Sequence, residues 1–526
     1  MVPALSPSSM YIAAQRRMLN NRQERWKTLR WKGRHNIPIS VAGPIYELVD
    51  GIYASGHGRV DDRRVAGSIT FHRLPTVNGD NGDETKVSSW TLSGFDMDII
   101  DFSMDPAQDL LVFIAPAPNG SKYTYQVYLR TLSTNEPHPK AGSPVLDCRR
   151  ASGSQPGDMW CSFRILILDN LLAVLIKDVF HTSAAFVAIW NWQARSKAKC
   201  QMALTMGVDD FCFLSRTEFM VVIPRGFFDV YTFTDPAVKK GFPTFLRRFG
   251  LPLLKEGFHY WYISATANPT PGTHFGKASS SPSASTPLPF YPRPDDGLIA
   301  CSLGTLNPSA HGAVGCFVFF MRIRTLLDSA LVSRVTALVP WESWGPPATR
   351  WFGDMLSSDW QHAVHGFRTV ERVLDDRVVS HGFLDLEPAA TTEIVEVSAE
   401  EEVEELQDEG WMGGNRSEMR KIKVKDFNPY AIAREATCRV DQDAEGGDTT
   451  KAEDGKSQPR IRLVTGPAIV RAGVTFQQDV VSRLPYREIV TEETMEVSDV
   501  MLDDNRILCL KRNPNGQLHS LDVLTF

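Results

Sequence analysis

No run of apolar residues in this chain is long enough to cross a bilayer; the longest, near Ala313–Met321, falls far short of the ~20 residues a spanning helix needs. No CxxC pair occurs, and the eight cysteines (Cys148, Cys161, Cys200, Cys212, Cys301, Cys316, Cys438 and Cys509) are scattered over 526 residues. That spacing argues against a dense disulfide framework or a zinc ribbon, and cysteines inside apolar runs, such as Cys212, Cys316 and Cys509, read as buried free thiols. The chain lacks a P-loop, a G-x-G-x-x-G turn, a G-x-S-x-G elbow and H-E-x-x-H, so the common signatures of phosphate binding, hydrolase and zinc-protease chemistry are missing. It also lacks an excess of positive charge: 56 Lys and Arg stand against 62 Asp and Glu, a net charge of -6. Without a basic field to gather phosphates, nucleic acid is not an expected partner. The N-terminus has no continuous apolar core of the kind a signal peptide requires. The expectation from these absences is a soluble cytoplasmic or nuclear protein, with reduced thiols and with neither membrane nor cofactor.

What the chain does have is a strand, turn, strand, strand layout that recurs four times: Ile99–Leu132, Phe163–Trp192, Phe211–Phe233 and Val497–Val523. In the first, Ile100, Phe102 and Met104 alternate with Asp101, Ser103 and Asp105, so one face is apolar and the other polar. A unit of this kind cannot bury both of its faces alone, which calls for a ring or stack of small sheets. The fold class expected is all-β, a WD40-like β-propeller with a short N-terminal helix. At about 40–50 residues per blade, the chain outside its leader and insertions accommodates seven or eight blades, and seven is preferred. The C-terminal run Gln517–Phe526 is expected to pair near Tyr46–Ala54 and close the ring.

Domain organisation is read as a helical leader over 1–38 and a propeller over 39–526. The helix is expected over residues 8–30, capped by Ser8 or Ser9, with Trp26, Leu29 and Trp31 docking it on the sheets. The stretches YELVDGIYAS and SITFHRLP read as the two arms of a long hairpin. Three flexible insertions are expected: 266–296, rich in Pro and Ser; 387–418, with the acidic run Glu400, Glu401, Glu402, Glu404, Glu405 and Asp408; and 437–460, polar and Gly-rich.

Few residues offer chemistry. The acids between first and second strands (Asp105 to Asp109, Asp169-Asn170, Asp503-Asp504) recur at one structural place, and so read as turn formers rather than as a carboxylate site. His362, His365 and His381 are the best metal candidates, but residues three apart on a strand face opposite ways, and surface or packed histidines are preferred. Lys239, Lys240, Arg247 and Arg248 read as solvated surface. The segment Val339–Phe352 is the richest in aromatics. Its Trp341, Trp344, Arg350 and Trp351 are candidates for protein binding, with core packing weighed above it. Trp190 and Trp192 share a strand face and are expected to pack between neighbouring blades. No catalytic, cofactor-binding or metal-ligating residues are assigned.

The pieces RQERWKTLRW (22–31), ISVAGPIYELVDGIYA (39–54), DPAQDLLV (105–112), YLRTLSTNEPHP (128–139), VPWESWGPPATRWF (339–352), DFNP (426–429), LPYRE (484–488) and MLDDNRIL (501–508), in this order, resemble the large F-box proteins of mushroom-forming (basidiomycete) fungi. The resemblance implies an N-terminal F-box that holds a Skp-type adaptor of a cullin ubiquitin ligase, followed by a propeller-like region that presents the substrate. Met1 stands where the F-box would already have ended, so only the propeller region carries over. The expectation is a non-enzymatic protein-interaction scaffold resembling the substrate-binding region of a ligase receptor. Two alternatives stay open: a functional substrate adaptor whose leader still recruits the ligase, and a propeller enzyme with a site in its central channel.

Overall fold

In the computed structural model the four recurring units each become one sheet with four antiparallel strands, the third joined by a fifth, parallel edge strand, and among the described residues three more four- or five-stranded sheets arise from stretches whose repeat the sequence conceals. The structure describes every residue except 1, 4–11, 40–42, 44, 59–65, 79–82, 85–86, 151–160, 179–184, 197, 206, 240, 274–289, 292, 294–295, 310–312, 332–336, 354–360, 374–416 and 436–459. The Ser8 or Ser9 cap, the acidic run, His381, Cys438 and nearly all of the second and third insertions lie outside the described residues.

Seven blades follow one another along the chain. The first is Ile45–Val49, Ile52–Gly58, Ala66–Arg73 and Ser88–Ser93; the second is Asp101–Asp105, Leu110–Pro116, Tyr123–Thr131 and Val145–Arg150. The third is Cys161–Leu168, Leu171–Asp178, Ala185–Asn191 and Lys199–Leu204; the fourth is Asp210–Phe213, Glu218–Ile223, Phe227–Thr232 and Thr244–Gly250, edged by Leu338–Val339. The fifth is His259–Thr266, Leu298–Asn307, Ala313–Arg322 and Thr349–Phe352. The sixth is Val364–His365, Arg368–Arg372, Ile422–Asp426 and Tyr486–Val490, with Arg460–Val464 outside it. The seventh is Asp499–Leu502, Arg506–Arg512, Leu518–Thr525 and Gly33–Pro38.

The period-two pattern explains why a ring forms. The inner strands of each blade show one apolar face to the blade before and another to the blade after, and every junction holds its own buried cluster. Phe71 and Phe113 sit between blades one and two, Trp190 and Trp192 between two and three, Phe213 and Phe219 between three and four. Phe228 and Phe319 lie between four and five, Phe320 and Phe427 between five and six, Val424 and Ile507 between six and seven. The seventh cluster joins Leu508 and Leu521 of the last blade to Leu48 and Tyr53 of the first, which closes a seven-bladed β-propeller.

The closing strand differs from expectation. Leu518–Thr525 pairs with Gly33–Pro38, Ile37 standing opposite Leu521, and not with Tyr46–Ala54. Gly33–Pro38 is an outer strand with mostly accessible side chains, so it has no apolar period to betray it. The residues just before 39 therefore belong to the ring. The supposed single strand YELVDGIYAS bends at Asp50-Gly51, where both residues take positive φ (47° and 72°), into a tight hairpin within blade one. The N-terminal helix spans Ile12–Thr28 and is docked by Trp26 and Leu29 in the cluster of blades six and seven, Trp26 stacking on Phe526 at 4.0 Å.

Candidate functional site

The aromatic segment is core. Trp341, Trp344, Trp351 and Arg350 are 7%, 0%, 0% and 3% exposed, so the side chains considered for partner contact are withdrawn from the surface. Trp344 and Trp351 fill the junction of blades four and five, Trp344 donating Nε1–H to Gly250 O at 2.9 Å and Trp351 stacking on Phe319 at 4.5 Å. Arg350 donates to Gly466 O and lies 5.1 Å from the Tyr486 ring. Of the basic cluster, Lys239 is exposed as expected and Lys240 lies outside the described residues, but the two arginines are engaged by the protein. Arg247 is 5% exposed and pairs with Glu218 at 3.2 Å, while Arg248 pairs in bidentate fashion with Asp229.

The acids between first and second strands do form turns. Asp105 accepts the amides of Ala107 and Gln108, and Asp503 accepts that of Asn505 as well as Arg506 Nη1 at 2.6 Å. Asp169 takes the left-handed conformation (φ 51°) and is held by Arg216. Because every such turn lies at the same end of its blade, the turns also gather carboxylates around one mouth of the ring. Asp50 remains accessible there, yet its surroundings of protein and the nearby Asp105, Asp503 and Asp504 push its carboxyl up to about 7.

The axis carries an arrangement that motif reading passed over. Asp101, Arg164, Asp210, Ser264 and Asp499 occupy one register on their inner strands, each opposite the fifth residue of the next strand (Ile114, Leu175, Val222, Ser302 and Leu510). Two residues further along the same face stand Glu47, Ser103 and Thr266, opposite Ala54, Val112 and Ala300. His362, just ahead of the inner strand of blade six, is 2% exposed and sets its Nε2 3.3 Å from Glu47 Oε1. The three aspartates and Glu47 each accept the amide of the following residue at 2.8–3.1 Å, which fixes their rotamers. Arg164 reaches Asp210 at 3.4 Å and Thr266 Oγ1 at 3.2 Å. Burial dominates the electrostatics of this collar. It raises Glu47 and Asp101 to about 7 and lowers His362 to about 3, so the imidazole is neutral. Among the described residues no group of three His, Cys, Asp or Glu side chains is placed to share a metal ion, and His362 and His365 form no such set. The signal available in the sequence was a polar residue opening each short apolar run: DFSM at 101, RILI at 164, DFCF at 210 and DVML at 499.

One accessible apolar surface lies on the flank of blade four. The last strand of that blade, Thr244–Gly250, pairs in parallel with Leu338–Val339. Where they meet is a shallow cleft of about 390 Å³ lined by Asp229, Tyr231, Phe245, Arg248, Ala337 and Leu338. Phe245 and Leu338 are 41% and 46% exposed, and Phe242, three residues upstream of Phe245, is 79% exposed. The floor is rigid: Tyr231 stacks on Phe219 at 5.5 Å and meets Phe245 edge-on at 5.6 Å. Gly241 bridges in parallel to Cys200, so the segment carrying these phenylalanines crosses from the third blade to the fourth.

No family model matches the chain, and no curated protein matches it. Among solved structures it is similar to Sqt1 from Chaetomium thermophilum, at 11% identity and a TM-score of 0.23, over 50% of this chain and 55% of that one. It is also similar to U3-55K and to the WD40 repeats of RRP9, each at 9% identity and a TM-score of 0.23, over 54% of this chain and 80% and 78% of theirs. At such scores the likeness adds no weight; the propeller rests on strand order and on the seven junctions.

Proposed function

We propose that this chain is a non-enzymatic protein-interaction scaffold that docks a polypeptide partner on the flank of its fourth blade. The observation that carries this reading is the exposure of Phe242, Phe245 and Leu338 around a cleft whose charges are already satisfied by the Arg248–Asp229 pair. Clustered apolar side chains held on a rigid frame gain from burial against a partner, and neutralised polar neighbours keep the desolvation cost low. The finer reading, the substrate-holding region of an F-box-type ubiquitin ligase receptor, rests on the order of the sequence pieces from 22–31 to 501–508. A photo-crosslinking residue placed at position 242 is expected to capture a discrete partner in cells, whereas the same residue at exposed Val87 of blade one is not. Equal yields at both positions would remove the reading. Stoichiometric recovery of a Skp-type adaptor with the tagged chain supports the receptor function, and recovery of the partner without it leaves a scaffold.

A further inference from the structure

The collar around the axis offers more acceptors than the protein itself uses. Among the described residues neither ring nitrogen of His362 has a hydrogen-bond partner although the side chain is almost wholly enclosed, and its 3.3 Å approach to Glu47 Oε1 lies off the direction a hydrogen bond needs. Glu47 accepts from the Leu48 amide and the Ser103 hydroxyl, and Asp101 from the Phe102 amide, each leaving lone pairs unspent. The enclosed imidazole calls for a donor, and the half-buried carboxylates beside it have lone pairs to share one.

We propose that Glu47, Asp101 and His362 form a binding site for an alkylammonium group, –NH3+, on the propeller axis. Three N–H donors meet three acceptors: two carboxylates and the one lone pair of a neutral imidazole. One cation already acts on the site: the charge of Arg164 favours the ionised forms of Glu47 and Asp101 and the neutral form of His362. Arg164 of blade three is engaged with Asp210 of blade four and Thr266 of blade five, and Asp499 of blade seven is tied to the Val500 amide. The Tyr46 ring stands 6.0 Å from that of His362. A metal ion fits less well. Ligands to a first-row metal crowd to roughly 2.1 Å, whereas charge-assisted N–H···O bonds of about 2.8 Å let acceptors stand wider apart. Among the described residues none form a three-ligand metal set. An anion would face two carboxylates. This inference is independent of the flank surface proposed above.

The test is calorimetric titration of the full chain with methylammonium chloride, against sodium chloride and tetramethylammonium chloride at equal ionic strength. Methylammonium is expected to bind at one site and tetramethylammonium, which has no N–H donors, not to bind. Affinity is expected to rise about tenfold from pH 6 to pH 8, as the carboxyls give up their protons to the incoming charge. Glu47→Gln and Asp101→Asn are each expected to weaken binding about tenfold, with folding checked by circular dichroism. Should either variant fail to fold, the wild-type chain still decides: titration at pH 7 in two buffers of different ionisation enthalpy must show proton release on binding. Equal binding of tetramethylammonium, absence of proton release, variants that bind as the wild type does, or displacement of methylammonium by stoichiometric zinc would each overturn the site. An arm with N-acetyl-lysine amide identifies the source. Binding of both probes supports a lysine presented by a polypeptide, and binding of methylammonium alone supports a free amine.

Discussion

Glu47→Gln should make this protein more stable in alkaline solution and leave it nearly unchanged in acid. The Glu47 carboxyl is raised from an ordinary 4.5 to about 7, chiefly by burial, with Asp101 adding repulsion and Arg164 and the Leu48 amide opposing. Between those two values the unfolded chain gives up the Glu47 proton and the folded chain keeps it, so rising pH weakens the fold across that window and the loss is complete above about 7. The full difference corresponds to about 3 kcal/mol, and because the side chain is still 13% exposed we expect about 2 kcal/mol. Glutamine cannot ionise and does not suffer that loss. His362 runs in the opposite sense: pushed down to about 3, it costs stability as pH falls below 6.5. It is present in both chains, so the difference between them isolates Glu47. Urea unfolding of wild type and variant at pH 5 and pH 8 is the assay. The variant should be equal or slightly weaker at pH 5, since the Leu48 amide loses a charged acceptor, and stronger by about 2 kcal/mol at pH 8. A difference that does not change with pH would refute the idea that Glu47 is held protonated by its place on the axis.

Other substitutions probe the frame and the flank. Trp344→Ala empties the junction of blades four and five and strands Gly250 O, and is expected to cost about 3–5 kcal/mol in the same unfolding assay. Phe242→Ser, at a side chain 79% exposed, should change stability by no more than about 0.5 kcal/mol while abolishing recovery of the flank partner in a pull-down with the tagged chain. Arg506→Ala leaves Asp503 buried without its 2.6 Å partner and frees Pro75 O and Thr76 of the first blade, so a loss of about 3–5 kcal/mol and a lower urea midpoint are expected.

Blades two, three, four and seven were legible because their inner three strands sit close together in sequence and each alternates cleanly, as Phe102 and Met104 do against Asp101 and Ser103. Blades five and six were not, and the cause is insertion. The first two strands of blade five, ending at Thr266 and beginning at Leu298, are separated by a long polar segment, and in blade six Arg372 and Ile422 are neighbouring pairs with half a hundred residues between them. Periodicity is a local signal, and hydrogen-bond pairing across such gaps leaves no local trace. Blade one was half-seen. Its Asp50-Gly51 dipeptide is the strongest short hairpin cue in that stretch, and reading YELVDGIYAS as one strand overrode it.

The axis was hidden for a different reason. Polar residues that open a strand look like the polar half of an ordinary alternation, and Asp101, Arg164, Asp210 and Asp499 are separated by tens or hundreds of residues. Only the closure of the ring turns them toward one line, and only shared register places them at one height: each lies opposite the fifth residue of its neighbour strand. A wheel of seven blades thereby multiplies what each blade contributes once. The same multiplication governs the acids at the turns. Asp105 and Asp503 answer to local backbone geometry in their own blades, yet together with Asp504 they surround one mouth with negative charge, which adds to desolvation, the larger cause, in raising the Asp50 carboxyl to about 7. A turn-forming aspartate in a repeat protein is therefore a structural residue in its own blade and an electrostatic one on the axis, and the second role exists only once the ring is closed.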